Sequence, residues 1–540
     1  MKTKVLLLGA LSATMGVGCS SYAKTEQKET KPNIIYIMSD DHAYQAISAY
    51  GHGLNQTPNI DRIANEGVVF TNSFVTNSIC APSRAVMLTG KFSHMNGQTD
   101  NVRRFDGSQQ TYPKLLQQAG YQTALVGKWH LKSDPTGFDF WSVHYDQGDY
   151  YNPDFKEMGK RTHYEGYSPN IVCDNGLNWL DKRDISKPFA LLLHFKAPHR
   201  NWMPDTTRLN MYEDINFPIP ATYWDNYEGR TSAACEQEMS IYKDMMIEWD
   251  LKMEGEGSEK GHTNLMKKLA RMKPEERKKW DEFYARIKAD FKQKNLSGKK
   301  LAMWKYQRYM RDYLKVVDAV DYNVGRVLDY LENNGLAENT IIVYTSDQGF
   351  YLGEHGWFDK RFMYEQSLRT PLLMRYPAKV KGGQKVDGMV QNIDYAPTFL
   401  DYAGVAIPED IQGESLKPIL EGSAQKVRDA IFYQYFEYPG PHAVKRHFGI
   451  RTERYKLIHF YHDVDAWELY DLKADPEEMN NLYNNAKYKA TVDELKTELI
   501  ELRAKYRDTD SGNKRILEED KIALKKRLAH QAKAQMQTQK

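Results

Sequence analysis

The sequence predicts a doubly wound α/β sheet followed by a smaller α+β subdomain. Two observations predict the sheet. First, four short apolar, β-branched runs each lead into a cluster of polar residues. Asn33–Met38 ends in Ser39-Asp40-Asp41, Tyr121–Val126 in Gly127-Lys128-Trp129-His130, Phe189–Phe195 in Lys196-Ala197-Pro198-His199, and Thr340–Thr345 in Ser346-Asp347-Gln348-Gly349. Runs of this length and composition read as buried strands of a parallel sheet. Second, helical patterns such as Tyr112–Ala119 and Tyr313–Asn333 lie between them, and strand, tip and helix in repetition build a doubly wound sheet. A third observation predicts the subdomain. Ala430–Phe436, Phe448–Thr452 and Lys456–Tyr461 are short, aromatic and β-branched, as antiparallel strands are, and Ala490–Tyr506 has the pattern of an amphipathic helix.

In chain order, residues 1–18 read as a signal peptide: two lysines within Met1–Lys4, then the small apolar run Val5–Gly18. Two cleavage sites compete. Gly16-Val17-Gly18-Cys19 resembles a bacterial lipobox, which would place a lipid on Cys19; Ser21-Tyr22-Ala23 suits ordinary cleavage. The lipobox is favoured because its cysteine directly follows the apolar run. The protein is therefore expected to be exported by a bacterium, to the periplasm or outer membrane, and tethered through Cys19 and a polar linker over 19–31. No later stretch has the roughly 18 apolar residues of a membrane span. The α/β domain is expected over 32–425. A segment rich in Lys, Arg, Glu and Met, about 236–312, interrupts it, with a helix start at Pro274-Glu275-Glu276. Within 251–300, 15 basic residues face 8 acidic ones. The segment reads as a solvated helical insertion, with a rim attracting a polyanionic substrate as the sharper alternative. The C-terminal subdomain is expected over 426–510 and a charged, helical or frayed tail over 511–540.

Length and composition set the class. A chain of 540 residues with 41% hydrophobic and 27% charged residues has ample material for a large core, which excludes a disordered or fibrous protein. Basic minus acidic residues is 74 − 72 = +2, so no charge excess points to a nucleic-acid partner. The 36 Tyr and 10 Trp suit sugar clefts and cores alike. Four cysteines, Cys19, Cys80, Cys173 and Cys235, form no disulfide scaffold and no CxxC zinc pair.

Ligands of open α/β sheets bind beyond the carboxyl ends of the strands, so four tips distant in sequence converge on one site. Asp40, Asp41 and Asp347 bring carboxylates and Gln348 an amide oxygen. An all-oxygen set suits a hard cation, Ca²⁺ or Mg²⁺, rather than zinc; a lone Asp at a strand end would merely cap a helix. Lys128, His130 and His199 bring the cations and proton donors that an anionic substrate requires.

The decisive motif is Cys80-Ala81-Pro82-Ser83-Arg84, continuing through Ala85-Val86-Met87 to Leu88-Thr89-Gly90. It resembles the type I sulfatase signature, C-x-P-S-R-x-x-x-L-T-G. The Asp40-Asp41 tip, Gly127-Lys128-Trp129-His130, Ala197-Pro198-His199, Ser346-Asp347-Gln348-Gly349 and Asp359-Lys360-Arg361 follow the order of that family. The resemblance spans roughly residues 32 to 485, including Glu468-Leu469-Tyr470-Asp471-Leu472 and Asp475-Pro476-Glu477 near its end. It implies an alkaline-phosphatase-like fold. It also implies that a separate maturation enzyme, reading Pro82 and Arg84, oxidises Cys80 to formylglycine. One hydroxyl of the hydrated aldehyde would attack sulfur and release the sugar alcohol; the other would expel sulfate by elimination, which a serine-sulfate lacks. Asp40, Asp41, Asp347, Gln348 and the residue at Cys80 would hold Ca²⁺. Gln348 stands where Asn is more usual and keeps the amide oxygen. Arg84 would steady the diol, Lys128 and Lys360 would neutralise sulfate oxygens, His130 would serve as the base for elimination, and His199 would protonate the leaving oxygen.

Within the family, Phe358-Asp359-Lys360-Arg361 with Tyr364-Glu365, Arg375-Tyr376-Pro377 and Asn392-Ile393-Asp394 is similar to the N-acetylglucosamine-6-sulfatase branch. This implies that Asp359, Arg361 and a histidine of the C-terminal subdomain grip sugar hydroxyls. Both His442 and His447 are in range, and His442 is preferred because Pro439-Gly440-Pro441 would lift it over the cleft. The plainer reading of Asp359 and Arg361 is a mutual surface ion pair. The expected substrate is the 6-O-sulfate of a terminal N-acetylglucosamine in a sulfated oligosaccharide, from a glycosaminoglycan such as heparan sulfate or from mucin. Alternatives are 6-O-sulfo-N-acetylgalactosamine, a 2-O-sulfo-uronate, a phosphatase or phosphonate hydrolase of the same superfamily, and a degenerate glycan-binding lipoprotein. Two-zinc phosphatases use Ser or Thr at the nucleophile and more histidine ligands than occur here, and a degenerate protein would have lost its nucleophile or lysines.

Overall fold

The computed structural model describes Met1 and residues 31–538. The expected signal peptide, Cys19 and the linker up to residue 30 lie outside the described residues. Ten strands form one mixed sheet. Its centre runs Thr340–Ser346, Asn33–Ser39, Phe189–His194, Gln122–Gly127, Phe140–His144, all parallel. Antiparallel neighbours follow on both sides, Leu372–Arg375 next to Thr340–Ser346 and Asp154–Glu157 next to Phe140–His144. The four expected strands are thus contiguous, each within one residue of its expected ends.

The strands are apolar without a break because both faces are covered. Along the first strand, Ile35 and Ile37 pack toward the helices Pro58–Asn65, Ser168–Lys182 and Gly298–Asn333. Ile34, Tyr36 and Met38 pack toward Cys80–Thr89, Tyr112–Gln118 and Tyr395–Tyr402. Strand geometry sends alternate side chains to opposite faces, and each fully buried Ile or Leu contributes about 1.5–3 kcal/mol.

Parallel register then positions the site. Ser39 lies opposite Ser346, Met38 opposite His194, and His194 opposite Gly127. All four polar tips therefore leave the same edge of the sheet. Gly127 permits the closest approach: at φ +109° a Cβ would fall 1.9 Å from the His194 carbonyl oxygen, so only glycine fits there.

One expected boundary is corrected. The insertion expected to close at 312 has no boundary there. One helix runs unbroken over Gly298–Asn333, and residues 298–312 are its N-terminal part. The helix expected to start at Pro274 spans Pro274–Lys294. At the C-terminal end, Ala430–Tyr435, His447–Thr452, Tyr455–Phe460 and Ala466–Asp471 form a four-stranded antiparallel meander. The helix Lys489–Lys505 covers one face; Trp357, Phe362 and Tyr364 of the larger domain pack on the other. The charged tail, expected to be helical or frayed, is the helix Asp510–Thr538. It docks through Asp520, which pairs with Arg103 and Arg446 at 2.6 Å each.

Candidate active site

Cys80 opens the helix Cys80–Thr89, and Ile79 before it supplies no side-chain cap. An unsatisfied N–H of that first turn is met from a distance: Asn101 Oδ1 accepts from the Ala81 amide at 2.9 Å. Ser83 of the signature motif donates to the Asp347 carbonyl and accepts from Asn392 Nδ2 at 2.9 Å. The helix that begins at Cys80 is thereby tied to the fourth strand tip.

The strand tips meet around Cys80. Its thiol donates to Asp40 Oδ1 at 3.5 Å. Arg84 reaches Asp347 Oδ2 through Nε at 3.2 Å and Nη2 at 2.9 Å, and donates to the Lys128 carbonyl at 2.7 Å. Lys128 Nζ contacts Asp40 and donates to Gln147 Oε1 at 2.5 Å. Lys360 Nζ lies 2.5 Å from Asp41 Oδ1. His199 Nε2 lies 3.7 Å from Asp41 Oδ2, its Nδ1 facing the Arg200 carbonyl at 2.7 Å. His130 Nε2 is 3.1 Å from Gln147 Nε2. Every residue expected at the sulfate end is in this cluster.

The three carboxylates fit a metal. Asp40, Asp41 and Asp347 offer oxygens within 4.8 Å of one another, and Asp40, Cys80 and His199 form an overlapping set. Among the described residues, Asp41 Oδ2 and Gln348 Oε1 are buried acceptors with no hydrogen-bond partner, which a hard cation would satisfy. Burial above all, then the neighbouring Asp40, lifts the Asp347 carboxyl to about 7. Burial lifts Asp41 to about 6, against the pull of Lys360. Burial also acts on Asp40, but Lys128, His199 and Arg84 outweigh it and hold that carboxyl well below its usual range. Burial and Asp40 push the Cys80 thiol well up, so the unmodified side chain is a poor nucleophile. Burial and Lys128 push both His130 and His199 well below the ordinary histidine value. Both are neutral in the resting site.

A second group lies beside Lys360. Asp359 and Arg361 both have left-handed backbone, φ 78° and 98°. This conformation is costly for side-chain-bearing residues and is retained where a site demands it. Asp359 Oδ1 accepts from Arg361 Nε at 3.1 Å, and its Oδ2 lies 3.3 Å from His442 Nε2. His442 Nδ1 faces the Glu238 carbonyl at 2.6 Å, so the start of the insertion holds the histidine. The Asp359–Arg361 pair exists, but it is buried rather than a surface pair. Side-chain exposure rises from 0% at Asp40 and Lys128 to 12% at His442 and 16% at His199. Asp40 and Lys128 lie deepest, Asp359 and Arg361 are buried at 8% and 6% exposure, and the cluster reaches the surface through His442 beside Asp359 and through His199 beside Asp41.

His447 is a correction. It is fully buried inside the C-terminal subdomain, 5.1 Å from the Phe460 ring and 5.5 Å from Tyr433, and burial pushes it down to about 4. It is the first residue of a strand whose face packs inward, so it cannot reach a sugar. Cys173 is also buried, while Cys235 is exposed, and neither is disulfide-bonded. Three residues in contact with the site carry no sequence signal: Gln147, Asn101 and Glu437, the last accepting from Arg361 Nη1 at 3.2 Å. Each is a single polar residue outside any motif. Cavities of about 650 Å³ beside Glu365, Arg369 and Arg451 and of about 500 Å³ beside Phe283, Trp304 and Arg311 contain none of these residues apart from the motif residue Glu365. Convergent ionisable groups, not cavity size, mark the site.

Comparison with known proteins agrees with this geometry. Residues 32–405 match the sulfatase family, and residues 353–505 match the family described as N-sulphoglucosamine sulphohydrolase, C-terminal. An N-acetylglucosamine-6-O-sulfatase of Bacteroides thetaiotaomicron is 54% identical over 95% of this chain and 92% of its own. A solved structure of a protein in complex with its substrate D-glucosamine-2-N,6-O-disulfate is likewise 54% identical, with a TM-score of 0.87 over 89% of this chain and 99% of that one. The phosphonate monoester hydrolase of Agrobacterium radiobacter shares the fold alone, at 21% identity and a TM-score of 0.61 over 88% of this chain and 96% of that one. With an alkaline-phosphatase-like sheet, the signature helix and the acidic tips assembled on one edge, the chain belongs to the sulfatase family.

Proposed function

We propose that the protein removes the 6-O-sulfate from terminal N-acetylglucosamine of sulfated oligosaccharides. The observation carrying this reading is the Asp359–Arg361–His442 group, side by side with Lys360 and next to the buried cationic and acidic cluster. A primary sulfate sits on a flexible exocyclic carbon, so the sulfate pocket alone cannot choose the sugar. The choice falls to ring hydroxyls, and a carboxylate with a guanidinium brackets a hydroxyl as acceptor and donor. Arg361 uses Nε and Nη1 within the protein, and no acceptor lies on its Nη2 among the described residues, which leaves two N–H groups for substrate. The relatives named for 6-O-sulfated glucosamine support the same choice.

The chemistry we propose uses formylglycine made from Cys80, with Ca²⁺ held by Asp40, Asp41, Asp347 and Gln348. The modified residue supplies a nucleophile with a built-in route of release, and the ion supplies positive charge against the sulfate. Around them the chain's own residues have defined tasks. Arg84, fixed by Asp347 and the Lys128 carbonyl, orients the residue at position 80. Lys128 and Lys360 counter the charge of the sulfate oxygens. His130, neutral at rest, is available as a base. His199 must deliver a proton to the leaving oxygen. Burial and Lys128 hold it neutral in the resting site, and an anionic ester brought against Nε2 raises its proton affinity at the moment it is needed.

The test is release of sulfate from N-acetylglucosamine-6-sulfate, N-acetylgalactosamine-6-sulfate, glucosamine 2-N,6-O-disulfate and a 2-O-sulfated uronate disaccharide. Selective 6-O-desulfation of the glucosamine compounds is expected. Removal of the N-sulfate, or preference for the uronate, refutes the substrate while leaving the family intact. We further propose export and lipid anchoring through Cys19. Cys19→Ala should release the protein into the soluble periplasmic fraction; wild-type protein that is already soluble and begins at Lys24 refutes it.

A further inference from the structure

Arg361, the donor proposed to meet the sugar, is immobilised from the other subdomain. Tyr433 donates to its carbonyl at 2.5 Å. Its Nη1 donates to Tyr435 Oη and to Glu437 Oε1, each at 3.2 Å, and Tyr435 in turn donates to the Glu437 carbonyl at 3.0 Å. Glu437 is buried, and its two oxygens are divided. Oε1 takes Arg361, while Oε2 accepts from the Asn101 amide at 2.7 Å. Asn101 caps the nucleophile helix through Ala81. An unbroken chain of hydrogen bonds thus joins the sugar-facing guanidinium to the first turn of the helix that begins at Cys80, and it passes through one carboxylate.

We infer that Glu437 is a positioning residue that fixes the spacing between the hydroxyl-gripping Arg361 and the attacking position at Cys80. The inference rests on the substrate reading above. A carboxylate is required because two donors meet it from opposite sides. An amide offers one acceptor oxygen and turns its N–H₂ toward the other donor, and an aspartate is one methylene too short to reach both. The cost should fall on kcat for the sugar, because misplacing a held substrate relative to the attacking group weakens the reactive geometry more than binding. An aryl sulfate lacks the hydroxyls and is positioned by its sulfate alone.

The experiment compares N-acetylglucosamine-6-sulfate with 4-nitrophenyl sulfate for wild type, Glu437→Gln, Glu437→Asp, Arg361→Ala and Arg361→Ala/Glu437→Gln. In Glu437→Gln the ratio of sugar kcat to aryl kcat should fall about tenfold to hundredfold, with a smaller change in KM. In the Arg361→Ala background the same substitution should change sugar turnover by less than about twofold, since its target is gone. Glu437→Asp retains the charge and provides the same reading if the glutamine variant does not fold. Equal loss on both substrates, or an undiminished effect in the Arg361→Ala background, overturns the inference while the substrate reading stands. A wild type inactive on the sugar but active on the aryl ester overturns both.

Discussion

Adjacent residues 359 and 360 should give opposite kinetic signatures, which tests the division of the site into a sulfate end and a sugar end. Lys360 Nζ lies 2.5 Å from Asp41 Oδ1 and its side chain is 3% exposed. A unit charge about 4 Å from a sulfate oxygen is worth about 4 kcal/mol at an effective dielectric of about 20. Lys360→Met should therefore lower kcat/KM on the order of a thousandfold. The loss should be similar for N-acetylglucosamine-6-sulfate and 4-nitrophenyl sulfate, because both carry the group the lysine serves. Asp359 is different. Its contacts are Arg361 Nε at 3.1 Å, His442 Nε2 at 3.3 Å, the Lys360 amide at 2.9 Å and, more distantly, the Lys360 ammonium at 4.0 Å, and Lys360 is its link to the acidic cluster. Asp359→Ala removes the hydroxyl acceptor and leaves Arg361 and His442 partly unpaired, at about 1–3 kcal/mol. Sugar turnover should fall about tenfold to hundredfold and aryl turnover far less. Steady-state kinetics on the two substrates, with circular dichroism to verify folding, suffices. If Asp359→Ala depresses both substrates alike, or Lys360→Met spares the aryl ester, the division is wrong.

Three further outcomes are expected. Chelation should abolish turnover of both substrates and lower the melting temperature, with Ca²⁺ restoring both; full activity in the metal-stripped protein refutes the metal assignment. Cys80→Ala should be inactive yet fold as wild type, and mass spectrometry of the Cys80 peptide from the native source should find an aldehyde, a persistent thiol being the contrary result. Burial lifts the Asp321 carboxyl to about 6, although it accepts the Ile60 amide at 2.8 Å and the Asn59 amide at 3.0 Å. The folded state then holds the proton more tightly than the unfolded one. The contribution is greatest below about pH 4 and is lost as pH rises through 6, on the order of 3 kcal/mol. The melting temperature of wild type relative to Asp321→Asn should fall between pH 4 and 7, and a flat difference contradicts the sign.

The parts legible in the sequence share one property: they are local. The strand tips are readable because a buried parallel strand is a continuous apolar run, and its polar end must carry function or a cap. Cys80 through Gly90 is readable because its fixed residue types stand in one contiguous stretch. Gln147, Asn101 and Glu437 are silent because their meaning lies wholly in what they touch: Lys128 and His130, the Ala81 amide, and Arg361. His442 and His447 show the same limit. Both follow the Pro439 loop, and only the strand phase, which points His447 inward between Phe460 and Tyr433, separates them. The insertion boundary at 312 is misplaced for a related reason. The charged first half of the helix Gly298–Asn333 and its apolar second half differ in composition but not in backbone.

Charge accounting explains why a site so buried persists. Asp40, Asp41 and Asp347 are met by Lys128, Lys360 and Arg84, three against three, so the chain alone is close to neutral there. Such an arrangement would be stable without affinity for an anion, since each cation already has a carboxylate. Yet the balance is uneven. Asp40 is held ionised, while burial lifts Asp41 and Asp347 to about 6 and 7, and Asp41 Oδ2 and Gln348 Oε1 accept no hydrogen bond among the described residues. These features mark an excess of acceptor capacity that the lysines do not consume. A divalent cation taken up by those oxygens would turn a neutral cluster into one of about +2 and free Lys128 and Lys360 to face a ligand. The same carboxylates that would repel a sulfate ester on their own thereby become the means of concentrating positive charge where the ester must bind.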